Sequence, residues 1–377
     1  MDAELLEVNC MEWFDYQKDI SGCGLFGVIS KKKKMINGSV PQKAIANMHD
    51  RGNGLGGGFA AYGIYPDYAE YYALHIMFDS VGEIEETERF LEENLDIEHL
   101  EEIPTRANKN IGWSPYLRRY FVKPVGKPKA RFLETFTNSD DDYIVQLVMY
   151  INDKIEGTYV FSSGKNMGAF KGVGFPEDIA DFFKLDEYEG YIWTAHNRFP
   201  TNTQGWWGGA HPFTLLDWSI VHNGEISSYG INRRYLEMFG YKLSLHTDTE
   251  VVAYLMDLVV RKHGLSYEVA AKVFAPDFWK DIDDNPDQEE KEALTALRTI
   301  YGPAILNGPF AILFAFHNGV MGLNDRVKLR PLIVGEKDDF VYFSSEEAGI
   351  REVEPDLDRV YAPPAGEPVL VFLEENS

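Results

Sequence analysis

The chain has 377 residues, and 60 acidic against 36 basic residues give it a formal net charge of −24. A field of that sign repels phosphate backbones and anionic membranes, so the charge argues against nucleic acid and membrane as general partners. Hydrophobic residues make up 45% and charged residues 25%, which excludes a disordered chain. With two cysteines, no signal-peptide pattern and no apolar run of membrane-spanning length, we expect a cytoplasmic protein with reduced thiols.

The predicted elements begin after a mixed, acidic stretch at residues 1–22. Residues 23–30 have the apolar pattern of a buried strand, and residues 41–49 that of a short helix with a proline in its first turn. Strand-like and helix-like segments alternate over 67–150. The apolar run at 143–151 is predicted to be a strand.

Strands dominate from Thr158 onwards, and a helix is predicted near Thr247. Thr247 and Glu250 have the spacing of a capping box, in which each side chain satisfies a backbone amide at the helix start. Residues 262–300 look helical, and strands return from about residue 310. Many strands with few strict β-α-β alternations indicate α+β layers. We expect one domain over 23–377, preceded by a leader or propeptide at 1–22.

Two patterns imitate binding motifs. The glycines at 52–57 match G-x-G-x-x-G, but they follow a helix and lead into a strand, the reverse of a dinucleotide-binding turn. The acidic loop at 281–292 has calcium-loop spacing, but Pro286 stands where the turn needs a glycine. We expect a flexible loop beside a ligand in the first case and a solvated loop in the second. No metal site is predicted.

Cys23 stands between two glycines at the start of the first predicted strand. A lone cysteine in a strand is most often a small buried apolar residue. Gly22 and Gly24, however, leave its sulfur sterically open, which a core position does not require. The flanking residues therefore make Cys23 a candidate nucleophile.

Three later segments contain groups that such a nucleophile needs. Arg198, in the segment 194–203, has the planar fork that binds a carboxylate through two parallel hydrogen bonds. The Asn223 amide and the Gly224 N–H can direct two donors at one point, as an oxyanion hole requires. Asp248 follows the expected helix cap, where a carboxylate stays ionised and can pair with an ammonium group.

Each of these segments has a simpler interpretation when taken alone. Arg198 could form a surface ion pair, Asn223 and Gly224 a tight turn, and Asp248 a helix cap. Together with Cys23 they supply a thiol, a carboxylate-binding group, an oxyanion hole and an ammonium-binding group. That combination predicts an enzyme that attacks the side-chain amide of an α-amino acid.

These segments resemble the class II glutamine amidotransferases, whose nucleophile is an N-terminal cysteine. The resemblance is greatest to the amidotransferase domain of glutamate synthase. Residues 23–27 resemble the mature N terminus of that class. The segments similar to its arginine, oxyanion, aspartate and downstream motifs are 196–203, 222–226, 246–250, 308–311, 324–331 and 344–346.

The resemblance implies a four-layer αββα sandwich of two antiparallel sheets. It also implies a role for each matching residue. These are Cys23 as nucleophile, Asn223 and Gly224 as oxyanion hole, Arg198 for the α-carboxylate, Asp248 for the α-ammonium, and Phe199, Thr201 and Asn202 as pocket residues.

The implied activity is hydrolysis of L-glutamine to glutamate and ammonia through a cysteine thioester. The base in this class is the α-amino group of the cysteine itself, so we expect cleavage between Gly22 and Cys23. The chain is expected to hold no cofactor and to pass ammonia to a separate glutamate synthase-type subunit, with FMN and an iron–sulfur cluster on partner subunits. Two alternatives stay open. One is an amidotransferase for methylamine-glutamate, amino-sugar or purine precursor chemistry, and the other is a catalytically silent assembly subunit.

Overall fold

A computed structural model of the chain describes residues 22–125, 133, 139–200 and 205–374. The predicted leader therefore lies outside the described residues, apart from Gly22. No helix in the described part is both long and apolar enough to cross a membrane.

The strands are, in chain order, β1 (Gly24–Ser30), β2 (Ile36–Asn37), β3 (Gly57–Tyr62), β4 (Tyr72–Phe78), β5 (Leu95–Glu102), β6 (Tyr116–Pro124), β7 (Thr158–Ser162), β8 (Met167–Gly172), β9 (Glu189–Gly190), β10 (Ile192–Asn197), β11 (Phe213–Leu215), β12 (Trp218–Gly224), β13 (Phe310–Phe316), β14 (Gly319–Asn324), β15 (Ile333–Lys337), β16 (Phe340–Ser344), β17 (Arg359–Tyr361) and β18 (Val369–Phe372).

The α-helices are α1 (Ser39–Ala46), α2 (Val81–Asn94), α3 (Asp140–Lys154), α4 (Pro176–Phe182), α5 (Tyr229–Met238), α6 (Asp248–Met256), α7 (Tyr267–Phe274), α8 (Trp279–Asp283), α9 (Gln288–Ile300) and α10 (Glu347–Arg351). A π-helical turn continues α6 directly, over Asp257–Lys262.

Two antiparallel sheets form the centre of the molecule. The seven-stranded sheet has the order β17-β15-β16-β1-β10-β3-β8, and the five-stranded sheet the order β11-β12-β13-β14-β18. β1 lies between β16 and β10, with Gly24 opposite Asn197 and Phe26 opposite Ser344. Strand β1 is therefore held by strands that come much later in the sequence.

The two sheets pack face to face because alternate side chains of a strand point to opposite faces. Leu25 of β1 shares a buried cluster with Val221 of β12 and Leu313 of β13, in the layer between the sheets. Phe26 points the other way and packs in a cluster with residues of α1, α4 and α10. Helix α6 covers the outer face of the five-stranded sheet. The predicted αββα sandwich is confirmed.

A four-stranded sheet, ordered β5-β6-β4-β7, lies outside this sandwich with helices α2 and α3. Here the sequence-based prediction of a strand at 143–151 is wrong, because these residues belong to α3. The Ser139 hydroxyl accepts a hydrogen bond from the Asp142 N–H at 3.1 Å and caps the helix. The residues from 143 to 151 are almost all buried. A helix buried on most sides lacks a narrow apolar stripe, so its sequence resembles that of a buried strand.

Candidate active site

The candidate nucleophile lies directly before β1. Because Gly24 pairs with Asn197 of β10, Cys23 sits beside the residues that follow β10. The Phe199 N–H donates a hydrogen bond to the Cys23 sulfur at 3.3 Å, and the thiol donates to the Phe199 carbonyl oxygen at 3.8 Å. Within the part of the chain that the structure describes, the sulfur has no disulfide partner. The register of two neighbouring strands thus brings Cys23 to the predicted arginine segment.

Arg51 belongs to this site, and the sequence analysis missed it. Its Nε donates to the Cys23 carbonyl oxygen at 3.0 Å, and its Nη1 lies 2.6 Å from Glu346 Oε1. The Gly22 N–H in turn donates to the Arg51 carbonyl oxygen at 3.3 Å. Arg51 therefore fixes the backbone on both sides of the nucleophile. Its position before a glycine-rich loop was the only signal in the sequence, and that position does not distinguish it from a surface arginine.

Arg198 follows the last residue of β10 and is 5% exposed. Its side chain packs against two glycines, since a Cβ at Gly56 would be 2.9 Å from Arg198 Cδ and one at Gly209 would be 3.5 Å from Arg198 Nη1. Burial lowers the pKa of the guanidinium, and the nearby Cys23 and Asp248 act in the opposite direction. The guanidinium therefore lies close enough to both groups to interact with them electrostatically.

The predicted oxyanion residues end β12. Gly224 adopts a φ of +144°, and a Cβ there would lie 1.9 Å from the Pro309 carbonyl oxygen, so only glycine fits. Asn223 is fully buried, and its Nδ2 donates to Ser345 Oγ at 3.3 Å. Ser345 Oγ also accepts from the Leu25 N–H at 3.2 Å. Ser345 thus joins the Asn223 amide to β1, a contact that the sequence analysis did not predict.

Asp248 is the first residue of α6, and its carboxylate is held by two donors. Oδ2 accepts from the Ile226 N–H at 2.9 Å, and Oδ1 accepts from the Thr249 hydroxyl at 3.2 Å. Thr247 caps the helix, as predicted, through a 3.2 Å hydrogen bond from the Glu250 N–H. The carboxylate is therefore fixed at the helix start, where the partial positive charge favours an anion.

Glu250 departs from the predicted capping box. Its carboxylate accepts from the N–H groups of Ser244 and Leu245, at 3.1 and 3.0 Å, before the helix begins. Burial raises its pKa to about 7, against the opposing effect of these two amides. Glu250 therefore holds the backbone of residues 244–245, which precede Asp248, against the start of α6. This contact acts in addition to the cap made by Thr247.

Three buried histidines lie beside the site, and no role was predicted for them. The rings of His196 and His211 stack at 4.0 Å between centroids. His196 Nε2 lies 2.8 Å from the His222 carbonyl oxygen and must carry a proton, since a carbonyl only accepts. His222 Nδ1 lies 3.2 Å from Thr249 Oγ1 and 3.8 Å from Asp248 Oδ2. Burial lowers the pKa of all three, so they are neutral near pH 7.

A cavity of about 280 Å³ joins these groups, close to the lower end of typical small-molecule sites. Asn223 lies behind it, and Thr201 and Asn202 fall outside the described residues. A larger cavity of about 1070 Å³ lies beside the four-stranded sheet, and its described wall includes none of the predicted residues. The predicted residues that line the smaller cavity are Cys23, Arg198, Phe199, Gly224 and Asp248.

The resting state of the nucleophile follows from this setting. Burial raises the pKa of the Cys23 thiol, the Phe199 amide and Arg198 lower it, and Asp248 raises it. The net direction is upward, so the resting sulfur is a thiol. Attack on an amide therefore requires a base.

Comparison with known proteins agrees with this geometry. The sequence profile of the family described as class II glutamine amidotransferases matches residues 115–247. A protein of Archaeoglobus fulgidus that is described only as uncharacterized is 56% identical over 362 residues, which cover 95% of this chain and 94% of that protein. The chain contains a class II glutamine amidotransferase domain. This family supports an enzymatic function, and glutamine as amide donor is consistent with it.

Two further relatives carry names. A provisionally named glutamine amidotransferase of Methanothermobacter thermautotrophicus is 27% identical, over 88% of this chain and 93% of its own length. An isomerizing glutamine–fructose-6-phosphate aminotransferase of Sulfurisphaera tokodaii is 31% identical over 44% of this chain. That match spans only 23% of the aminotransferase, so the reaction of the longer enzyme does not transfer to this chain.

Among solved structures, the glutamine phosphoribosylpyrophosphate amidotransferase of Bacillus subtilis, complexed with ADP and GMP, matches at 14% identity with a TM-score of 0.43. The match covers 94% of this chain but only 50% of the B. subtilis chain. A similarity of this size supports no conclusion about substrate or partner.

Proposed function

We propose that this chain is a glutaminase subunit that hydrolyses L-glutamine through Cys23 and supplies ammonia to a separate glutamate synthase-type subunit. The observation that carries the proposal is the single cavity shared by Cys23, Arg198, Gly224 and Asp248. A thiol, a guanidinium, a backbone amide and a carboxylate around one small space match the side-chain amide, α-carboxylate and α-ammonium of glutamine.

Binding is assigned to the two charged groups. Arg198 takes the α-carboxylate through its planar fork, and Asp248 takes the α-ammonium. Both are held in place, Arg198 by close packing against Gly56 and Gly209 and Asp248 by the Ile226 and Thr249 donors. Such fixed charges orient the substrate amide towards the sulfur without further reorganisation.

The reaction then has two stages. The Cys23 sulfur attacks the amide carbon, and the Gly224 N–H with the Asn223 amide stabilises the oxyanion. The tetrahedral intermediate breaks its C–N bond, the nitrogen takes up a proton, and ammonia leaves a thioester on the sulfur. Water then attacks the thioester, which releases glutamate and restores the thiol. The base for both attacks is the α-amino group of Cys23, freed by cleavage after Gly22. An amine with a pKa of about 7.7–8.0 is suited to proton transfer near neutral pH.

The Asn223 amide has a second donor for the oxyanion. One N–H of Nδ2 donates to Ser345 Oγ, and the other N–H of the same NH2 group is assigned to the oxyanion. Phe199, Thr201 and Asn202 are assigned to the substrate pocket.

The acceptor side of the proposal rests on the sequence resemblance. The synthase partner is expected to hold FMN and an iron–sulfur cluster, with no cofactor on this chain. The reaction is placed in the cytoplasm, where reducing conditions keep the Cys23 thiol free. The alternatives are an acceptor in methylamine-glutamate, amino-sugar or purine precursor chemistry, or an assembly role without catalysis.

A glutaminase assay with a matched pair of variants tests whether Cys23 hydrolyses glutamine. C23A removes the nucleophile and should reduce glutamate release to background, whereas C10A, at the only other cysteine, should leave it unchanged. Equal activity in C23A and wild type would assign the hydrolysis to another residue or to a contaminant. An inactive wild type would favour the assembly role.

A second experiment identifies the subunit that receives the ammonia. The tagged chain is purified from its native cells, and the copurifying subunit is examined by absorbance for flavin and iron–sulfur bands. Glutamine-dependent conversion of 2-oxoglutarate to glutamate by the complex supports the synthase proposal. A copurifying sugar-phosphate or phosphoribosyl enzyme supports one of the alternatives.

A further inference from the structure

Lys171 is a buried cation that the proposed reaction does not use. It lies on β8, its side chain is 0% exposed, and its ammonium has two backbone partners. Nζ donates to the Gly208 carbonyl oxygen at 2.9 Å and to the Pro212 carbonyl oxygen at 3.2 Å. The Phe213 ring lies 4.5 Å from Nζ. Lys171 therefore joins both ends of one short segment, residues 208–212, to the seven-stranded sheet.

Burying the Lys171 ammonium in this position is energetically unfavourable. Burial lowers the pKa of Lys171 to about 7, and the positive charge of Arg198 adds to that effect while Glu250 opposes it. An apolar side chain of similar length would avoid the desolvation of an ammonium and its repulsion from a second buried cation. A lysine at this position is therefore unfavourable unless the two carbonyl contacts matter.

The segment held by Lys171 forms part of the wall around the site. Gly209 lies against the Arg198 guanidinium, since a Cβ at Gly209 would be 3.5 Å from Nη1. Gly56 packs closely against the stem of the same arginine, since a Cβ at Gly56 would be 2.9 Å from Cδ. His211, in the same segment, lines the Cys23 cavity. A shift of segment 208–212 would therefore release Arg198 on one side and change the cavity wall.

We propose that Lys171 is a positioning residue for glutamine, which fixes segment 208–212 through its two carbonyls and so holds the Arg198 guanidinium in the geometry that receives the α-carboxylate. This inference rests on the proposed function, in which Arg198 binds glutamine. Lys171 itself does not contact the substrate. Its effect should therefore appear in glutamine affinity and should require Arg198.

The test measures glutamine affinity in a C23A background, where no turnover occurs, by calorimetry or by NMR titration for weak variants. K171M keeps the length of the side chain but removes the donor, and should weaken glutamine binding about tenfold. K165M is the matched control, since Lys165 lies on the ring of Tyr72 away from the cavity, and it should bind as C23A does. Melting temperatures of all variants are recorded in parallel.

A double-mutant cycle with R198A separates positioning from general destabilisation. If Lys171 acts through Arg198, K171M should weaken binding no further once Arg198 is replaced. Unchanged glutamine affinity in K171M overturns the inference. It is also overturned if the affinity loss of the double variant equals the product of the losses in K171M and R198A. If K171M does not fold, K171Q takes its place in the cycle. Absent hydrolysis by the wild type would reject the proposed function, while the affinity cycle would still decide the role of Lys171.

Discussion

The Phe199 N–H donates a hydrogen bond to the Cys23 sulfur at 3.3 Å. The contact joins the start of β1 to the residue after Arg198, so the nucleophile and the proposed carboxylate-binding group are positioned by one pair of strands. A donor directed at sulfur favours the thiolate and partly offsets the effect of burial. The reactivity of Cys23 is therefore set by the same segment that is proposed to bind glutamine.

The charges around Cys23 should be measurable through its alkylation. Because burial raises the thiol pKa, the rate of reaction with iodoacetamide should rise with pH, with a midpoint above that of free cysteine. R198M removes a charge that lowers this pKa and should move the midpoint up, whereas D248N removes one that raises it and should move the midpoint down. R106M, at an exposed ion pair with Asp186, serves as control. Shifts of the same sign in the two site variants would contradict the assignment.

Asp248 should recognise the α-ammonium group and no other part of glutamine. D248N should lower kcat/KM for glutamine about 10- to 100-fold, since it removes a charged partner from a fixed hydrogen bond. With glutaramate, which lacks the α-amino group, wild type and D248N should differ little. The control is D281N, at an exposed position of the short helix α8, which should leave both substrates unaffected. A D248N defect of equal size on both substrates would assign Asp248 to folding of the site instead.

The buried histidines should make the fold sensitive to acid. Burial lowers the pKa of His75 and of His196 to about 3, whereas an unfolded histidine titrates at about 6.5. Below pH 6.5 the unfolded chain binds protons that the folded chain does not, so stability falls as pH drops from about 6.5 towards 3. Near pH 4.5 the loss should be about 2–3 kcal/mol per histidine.

The measurement is urea unfolding near pH 7 and pH 4.5. His75 is remote from the Cys23 cavity. H75Q should therefore reduce the loss of unfolding free energy between pH 7 and pH 4.5 by about 2–3 kcal/mol. H317Q, at an exposed imidazole, should leave the loss unchanged. A pH dependence that H75Q does not alter would show that carboxylates dominate the response.

The N terminus of the active protein should be Cys23. The nucleophile needs a base, and an amide nitrogen at Cys23 has no basicity, so the proposed mechanism requires cleavage after Gly22. Intact-mass analysis of purified, active protein should give a species that begins at Cys23. Full glutaminase activity in a protein that still carries earlier residues would require a different base.

The sequence was informative where chemistry depends on residue type. The thiol, the arginine, the Asn-Gly pair and the aspartate at the helix start each carry a recognisable chemical function, and all four lie at or beside the ends of regular elements whose type was predicted correctly. Strand pairing then brings most of them to one cavity. Helix α3 was misassigned because its nearly complete burial removes the periodicity on which such predictions rely.

The groups that the sequence did not reveal act through backbone atoms. Arg51 binds the Cys23 carbonyl, Ser345 accepts from the Leu25 amide, and Lys171 binds two carbonyls. A backbone partner leaves no trace in residue identity, since every residue offers the same carbonyl and amide. Such contacts depend on the register of distant strands, which composition and periodicity do not determine.

The central position of β1 has a consequence for the order of synthesis. Strand β1, which follows Cys23 directly, is made before both of its neighbours, residues 192–197 and 340–344, and the second of these is made long after it. Contacts this distant in sequence form late and slowly. A nascent chain therefore holds a chemically exposed cysteine without its cavity, and we expect glutamine hydrolysis to begin only after the C-terminal strands have been released and paired.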